Sequence, residues 1–442
     1  QTTIAALFIA FSAGAQPLSD LQSAAEAALV GGRPAEAAEA ADRILAAQPG
    51  TYAALFVKSA ALADLGQFTR AAEVAAEAHA AARTDPQRVS AAQLAASARF
   101  QAGHYTRAEW WLRRAANRAS TSEEAAQIRV AFRAVRRENP LSVQLSFNAV
   151  PTSNFNGGSA GDTIDFEGLG TLDLAPERQA LSGIEFSGDI RLGYRLSSDD
   201  VQTTRVEAYL YGRTYRPSDS AKRDVPGIDG DDYALGVGEL SLSHRRLIFK
   251  DVGPTGVSVL AGQLHYGGQA YYNYRRLSLS QDVARPRGRT LSFFASREWQ
   301  RGIEERYDDA EITRFATSWR TPRENGDTLR LTFEVELHDT DTFEASFEEY
   351  TVSGDYTFRE PFLGINWSAS LGVGHTNYDA FFLSLDGRRD EFVFTRASAR
   401  WSNIAFFGFS PQLTLTARRR VSDVSSYTAS TWTLNFGLVS LL

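Results

Sequence analysis

The stretch Arg330-Leu331-Thr332-Phe333-Glu334-Val335-Glu336-Leu337-His338 alternates without a break between polar and apolar residues. Side chains of a β-strand point to opposite faces in turn, so Leu331, Phe333, Val335 and Leu337 share one face and the polar residues share the other. The pattern recurs on both sides of this stretch. Ile184, Phe186, Ile190, Leu192 and Tyr194 alternate with Glu185, Ser187, Asp189, Arg191 and Arg195. Ile365, Trp367, Ala369, Leu371 and Val373 alternate with Asn366, Ser368, Ser370, Gly372 and Gly374, and Leu413 and Leu415 with Thr414, Thr416 and Arg418. Repeated from Ser142 to Leu442 with turn residues between, this is the pattern of a transmembrane β-barrel, apolar towards lipid and polar towards its lumen. A bilayer offers no water to an open sheet edge, so the strands must close into a ring.

Strands are expected at 142–150, 181–196, 201–216, 232–247, 255–267, 270–284, 289–301, 309–321, 327–339, 346–359, 363–378, 390–402, 410–421 and 426–440. That makes about 14, an even number, as bacterial single-chain barrels have. Connections after even strands are short, as at Ser197-Ser198-Asp199-Asp200, Arg285 to Gly288, Pro322 to Gly326 and Glu360-Pro361. The longer ones, Pro151 to Ala180 and Pro217 to Asp231, follow odd strands and are expected to face outward or fold into the lumen. Aromatic clusters at strand ends, Tyr271, Tyr272 and Tyr274 and then Phe406, Phe407 and Phe409, are expected to form interfacial girdles.

Composition is compatible with this reading. The chain has 442 residues, room for two domains, and is 43% hydrophobic, which suffices when only alternate strand residues are apolar. No apolar run beyond the first residues is long enough for a helical span. The absence of cysteine excludes disulfides, thiolate zinc sites and thiol catalysis, and a net charge of -7 argues against a nucleic-acid partner. Ile4 to Phe11 followed by Ala13-Gly14-Ala15 reads as a signal peptide over residues 1–15, cleaved after Ala15 and lacking its charged first part.

Residues 17–139 change to an alanine-rich helical pattern. Gly32, Gly66 and Gly103 are each followed five positions later by alanine, at Ala37, Ala71 and Ala108, with spacings of 34 and 37 residues. A period of 34 is that of the tetratricopeptide repeat, in which the glycine ends one helix and the small residue lets the next pack closely. The three extra residues of the second spacing are expected as an insertion before Pro86. Such a solenoid offers a concave face to an extended peptide or another protein, or serves as a plain spacer. Phe68, Tyr105, Trp110 and Trp111 are its candidate client-binding residues; of the two tryptophans, about 100° apart around the helix, one should be core. Arg133, Arg136 and Arg137 read as a solvated helix end. Asn139-Pro140 stops the last helix, and residues 140–442 form the barrel with no linker between.

No catalytic or metal constellation is legible: the six histidines are dispersed, and no phosphate loop is present. The chain reads as a non-enzyme without cofactor. The candidate lumen-facing residues are Arg205, Glu207, Arg213, Glu334, Glu336, Arg396 and Arg400. Such charges either pair across the wall to hold its shape or present a mixed-charge conduit. Pro151, Ser153, Asn154 and Asn156 open a candidate plug or lid segment, and the short first strand ending at Pro151 is a candidate weak seam for lateral release.

The junction Asn139-Pro140-Leu141-Ser142-Val143-Gln144-Leu145, then Pro151-Thr152-Ser153-Asn154-Phe155-Asn156 and Leu181-Ser182-Gly183-Ile184-Glu185-Phe186-Ser187-Gly188, resembles the surface lipoprotein assembly modifier family. In that family a proline leads into the first strand, a Ser-Asn-x-Asn stretch leaves it, and Ser-Gly opens the second. The resemblance covers the domain order, though the repeat region is small and the chain ends in Leu441-Leu442 where outer-membrane barrels usually end in an aromatic. It implies periplasmic tetratricopeptide repeats joined to a fourteen-stranded barrel in a bacterial outer membrane. It further implies delivery of client lipoproteins or soluble haem-binding proteins to the cell surface, with the barrel assembly machinery, periplasmic chaperones and outer-membrane lipid as further partners. The alternatives are a polysaccharide exporter with a helical-repeat scaffold and a passive porin with a periplasmic tether.

Overall fold

The computed structural model describes residues 18–166, 170–249, 252–303, 309–341, 345–380, 387–401 and 409–440. The chain divides between Asn139 and Pro140 into a helical and a β unit. The signal segment expected over residues 1–15, Phe406, Phe407 and the terminal leucines lie outside the described residues.

The helical unit consists of α1 (Leu18–Val30), α2 (Pro34–Ala47), α3 (Tyr52–Asp64), α4 (Phe68–Ala81), α5 (Asp85–Gln101), α6 (Tyr105–Ala116) and α7 (Ser122–Glu138). The turns α1–α2, α3–α4 and α5–α6 are built alike. Gly32, Gly66 and Gly103 have φ of 69°, 73° and 75°, and the residue after each donates its N–H to the carbonyl five positions back: Arg33 to Ala28, Gln67 to Leu62, His104 to Arg99. This closure needs a left-handed residue, which glycine adopts without steric cost. Ala37, Ala71 and Ala108 are fully buried, so α2, α4 and α6 approach their partners over a single methyl group. The Gly–Ala spacing in the sequence therefore encodes a repeated helical hairpin. Its larger second interval arises inside the helix: α5 has 17 residues where α3 has 13. Pro86 sits in the first turn of α5 behind a Thr84–Gln87 capping box, and the insertion expected before it is absent.

The β unit is a closed antiparallel barrel of β1 (Leu141–Thr152), β4 (Gly183–Ser198), β5 (Gln202–Pro217), β6 (Leu235–Phe249), β7 (Gly253–Tyr266), β8 (Gln269–Arg285), β9 (Arg289–Gly302), β10 (Ala310–Pro322), β11 (Thr328–Thr340), β12 (Phe347–Thr357), β13 (Ile365–Tyr378), β14 (Arg388–Trp401), β15 (Phe409–Ser422) and β16 (Ala429–Ser440). β1 closes the ring between β4 and β16. A small hairpin, β2 (Thr163–Phe166) and β3 (Gly170–Asp173), lies in the β1–β4 connection, and a short helix, α8 (Asp219–Asp224), in the β5–β6 connection. All fourteen barrel strands fall within three residues of the positions expected from alternation. The end of the barrel at which β1 begins is called here the near end and the other the far end.

The near-end turns are short because their side chains close them. Asp199, for example, accepts the N–H groups of Val201 and Gln202 at 2.8 Å each. The two longest described connections, 153–182 and 218–234, are both at the far end. The first strand is not short: β1 has 12 residues and β12 only 11, so any weakness at closure comes from pairing rather than length.

Candidate functional site: the barrel interior and its far rim

Alternation separates the two faces of the wall. Val143, Leu145 and Phe147 on β1, Ile190, Leu192 and Tyr194 on β4, Leu240 and Leu242 on β6, Leu331 and Phe333 on β11, and Leu371 and Val373 on β13 are all exposed on the outside. Strands of 11 to 17 residues carrying such a belt exceed the about 9–11 residues that a tilted strand needs to cross a bilayer. Among the described residues no helix is long and apolar enough to do so. The chain is thus a β-barrel of the outer-membrane type preceded by a helical domain.

The inner face is polar, and much of its charge is paired. Arg276 contacts Glu298 at 2.5 Å, Glu298 lies 3.9 Å from Arg314, and Arg314 reaches Glu336 at 2.6 Å. This row of alternating sign crosses β8, β9, β10 and β11. The Glu298 side chain is only 4% exposed, so the arginines beside it offset a charge that would be costly alone. On β4 and β5, Arg191 lies 3.6 Å from Glu207 and over the Tyr209 ring. At the far end of β14, Asp390 is held by Arg388 at 3.2 Å and Arg420 at 3.8 Å, while the Arg388 guanidinium lies over the rings of Tyr378 and Tyr427 at 3.7 and 3.9 Å.

The seven lumen candidates take different places. Glu207 and Glu336 belong to these pairs. Arg213 stacks on Tyr215, and neither its Nε nor that of Arg400 has a hydrogen-bond partner among the described residues. Arg205 and Glu334 lie on strand faces continuous with Glu207 and Glu336. Arg396 lines, with Arg330, Asp355, Ser368, Ser370, Ser398, Gln412 and Thr414, an interior cavity of about 590 Å³ towards the near end.

Aromatic residues occupy part of the interior, which the sequence did not reveal. Tyr272 and Tyr274 share the inward face of β8 with Arg276, and the Tyr274 hydroxyl donates to Glu239 at 2.5 Å. They are interior residues and not part of the girdle expected there; Tyr271, at the irregularity opposite Leu264 and His265, packs its ring edge-on to that of Tyr272 at 5.6 Å. Room for the Tyr274 ring comes from Gly262 opposite, where a Cβ would lie 2.5 Å from it. Phe392 and Phe394 likewise lie over Gly374 and Gly372, whose added Cβ atoms would meet the rings at 2.2 Å. The signal was a glycine facing an aromatic across a strand pair, legible only once the register is known.

The candidate lid is folded. Asn154 closes its own turn, donating to the Gly158 carbonyl at 2.8 Å and accepting the Gly158 N–H at 2.9 Å. Asn156 ties the two ends of the segment together. It donates to the carbonyls of Glu177 and Gln179 at 3.0 and 2.8 Å and accepts the Leu181 N–H at 2.9 Å. Phe155 between them is buried with Leu181, Tyr215, Ala221 and Val225, stacked on Tyr215 at 5.3 Å and edge-on to Tyr233 at 5.2 Å. The 153–182 and 218–234 connections therefore share one small core. Ser153 accepts the Trp432 N–H at 3.2 Å, and Ala160 donates to the Thr428 carbonyl at 2.8 Å, so the segment also grips the start of β16. Pro151 lies within β1.

In the helical unit Trp111 is core, packed with Val89, Leu112, Ile128 and Phe132, and is not a client surface. Trp110 is 49% exposed with Arg114 stacked 4.6 Å over it. Tyr105 is half-buried against Phe100, and Phe68 is half-buried at the start of α4. The end of α7 is not merely solvated: Arg136 and Asn139 both bond the buried Glu109, at 3.4 and 2.9 Å. Among the described residues no group of three His, Asp or Glu is placed to hold a metal.

No protein-family model matches the chain, and no curated protein matches it. Solved structures resemble its parts distantly. A loop L8 deletion mutant of OmpT, an outer membrane protein of Vibrio cholerae, is 6% identical over 68% of this chain and 99% of its own, with a TM-score of 0.35. A bacterial polysaccharide outer membrane secretin is 9% identical over 66% and 97%, with a TM-score of 0.37. The type III secretion translocator chaperone SycD of Yersinia enterocolitica is 17% identical over 27% of this chain and 84% of its own, with a TM-score of 0.26. Likeness of this degree says nothing about function.

Proposed function

We propose that the protein is a non-enzymatic outer-membrane translocation factor that promotes delivery of client lipoproteins, or soluble haem-binding proteins, to the cell surface. The helical hairpins, read as tetratricopeptide repeats in the periplasm, receive the client, and the barrel passes or releases it. The observation that carries this reading is the self-paired charge of the interior, in which Arg276, Glu298, Arg314 and Glu336 neutralise one another. Where its charges are already paired, the wall offers an extended polypeptide of either sign little to bind. The junction resemblance and the direct passage from α7 to β1 support the same reading. A fourteen-strand ring is narrower than the 16–18-stranded open porins, and aromatic side chains reduce its interior further. A folded client does not fit. The barrel assembly machinery and periplasmic chaperones act as partners in bringing the client unfolded.

One observation favours a second reading. The cavity around Arg330 and Arg396 is rich in hydroxyl and amide groups, which suits the export of an acidic polysaccharide. A photo-crosslinking residue placed at Arg330 or Arg396 in cells separates the two. Protein translocation predicts an adduct with one or two secreted proteins. A carbohydrate adduct, or none in actively growing cells, overturns it.

A further inference from the structure

The register of β1 is unequal on its two sides. Its edge with β4 is paired continuously from Leu141↔Tyr194 to Thr152↔Gly183. Among the described residues, its edge with β16 is paired only at Ala149↔Phe436 and Thr152↔Thr433, both towards the far end. Between residues 145–148 of β1 and 437–440 of β16, all described, the ladder has no pairing, although β16 stays paired with β15 from Phe409↔Ser440 onwards. The two strands nonetheless run close together: a Cβ on Gly437 would lie 2.8 Å from the Asn148 Oδ1. Outside, Leu145 and Phe147 are 58% and 69% exposed, whereas Ile190, register partner of Leu145 on the paired side, is 40% exposed. At the far end the seam is fastened by the Ser153–Trp432 and Ala160–Thr428 bonds of the lid. The wall is thus hinged at the far end and unzipped below it.

Backbone groups without partners are costly in a membrane, and an extended strand with matching alternation satisfies them. We propose that this seam is a strand-accepting gate. Its occupant is an extended segment of the translocated client, apolar at alternate residues, which pairs with residues 145–148 and 437–440 and leaves sideways between β1 and β16. Leu145 and Phe147 match the segment's apolar side on the lipid face, and Ser146 and Asn148 match its polar side in the lumen. The identity of the occupant rests on the function proposed above; the unzipped seam does not.

The chain contains no cysteine, so disulfide locks can be placed cleanly. Asn148→Cys with Gly437→Cys locks the unpaired stretch, where an added Gly437 side chain would meet residue 148, and Asn148→Cys with Ser187→Cys, using the same β1 residue, locks the paired side as a control. Expected is loss of client delivery in the seam lock, restoration by a reductant in the same cells, and wild-type delivery in the control. Recovery on reduction shows that the locked protein was folded. Delivery at wild-type rate through a fully locked seam overturns the gate. A photo-crosslinking residue at Leu145 should capture the client while one at Leu210, outward on β5, should not; equal capture overturns the occupant. Independently of any client, seam-facing amides of residues 145–148 and 437–440 should exchange faster than amides of the same strands facing β4 and β15. Equal protection overturns the unzipped seam, whereas a wild-type protein that delivers no client overturns the occupant and leaves the exchange result standing.

Discussion

Replacing Phe155 by alanine should open the far rim without unfolding the barrel. The ring is 7% exposed, stacked on Tyr215, edge-on to Tyr233 and packed with Leu181 of its own connection and Ala221 and Val225 of the next. Truncating a phenylalanine in such a core costs about 3–5 kcal/mol. The backbone around it is fixed separately by Asn154 and Asn156, which leaves little freedom to fill the space. At 1.4 kcal/mol per factor of ten, local opening of the two connections should become about 100- to 4,000-fold more frequent. Hydrogen exchange of the full chain in detergent reads this directly: amides of 153–182 and 218–234 should lose protection together, while those of β8–β11 keep it. Limited proteolysis should then cut both connections at comparable rates. Protection in 218–234 that is unchanged while 153–182 loosens would refute the shared core.

Three further outcomes follow from the geometry. Glu298→Ala removes the partner shared by Arg276 and Arg314, two part-exposed guanidiniums of which Arg314 keeps Glu336, and should cost about 1–3 kcal/mol, seen as a lower heat-modifiability midpoint on gels, whereas Arg314→Lys should cost less. Trp111→Ala should destabilise the helical unit by about 3–5 kcal/mol, and Trp110→Ala, which loses only an edge-on contact to Trp111 and the stacked Arg114, by about 1–2 kcal/mol, both measured by helical circular dichroism melts. His79, edge-on to Trp111, has its imidazole pKa lowered by burial first and then by Arg114, Arg88 and Arg118. Below pH of about 6.5 the unfolded chain takes a proton that the folded helices resist. Stability of this unit should therefore fall as pH drops through that range, and His79→Gln should flatten the slope.

Alternation alone placed the strands, because a wall between lipid and a polar interior imposes period two on every segment and leaves few ways to shift a boundary. The Gly–Ala spacing was equally readable, since left-handed closure and a methyl-sized contact leave few residue choices at Gly32, Gly66 and Gly103 and the alanines beyond them. Interior architecture was not readable. Tyr271, Tyr272 and Tyr274 read as an interfacial girdle in the sequence, yet their rings pack edge-on in one cluster, with centroids 5.6 and 5.7 Å apart, beside a register shift between Leu264 and His265. Gly372 and Gly374 read as ordinary polar-face residues because the rings that fill the space beside them, as beside Gly262, come from another strand. The same holds for the Arg136–Glu109 pair, whose partners are 27 residues apart, and for the seam, a property of pairing between the first and last strands.

The central claim is that this barrel carries proteins to the cell surface. It is tested most directly by protease shaving of intact cells, with and without the protein, followed by quantitative comparison of the released peptides and the periplasm. The account predicts that one or two proteins disappear from the surface and accumulate in the periplasm, and return when the wild-type chain is restored. A surface proteome unchanged by its removal would contradict it.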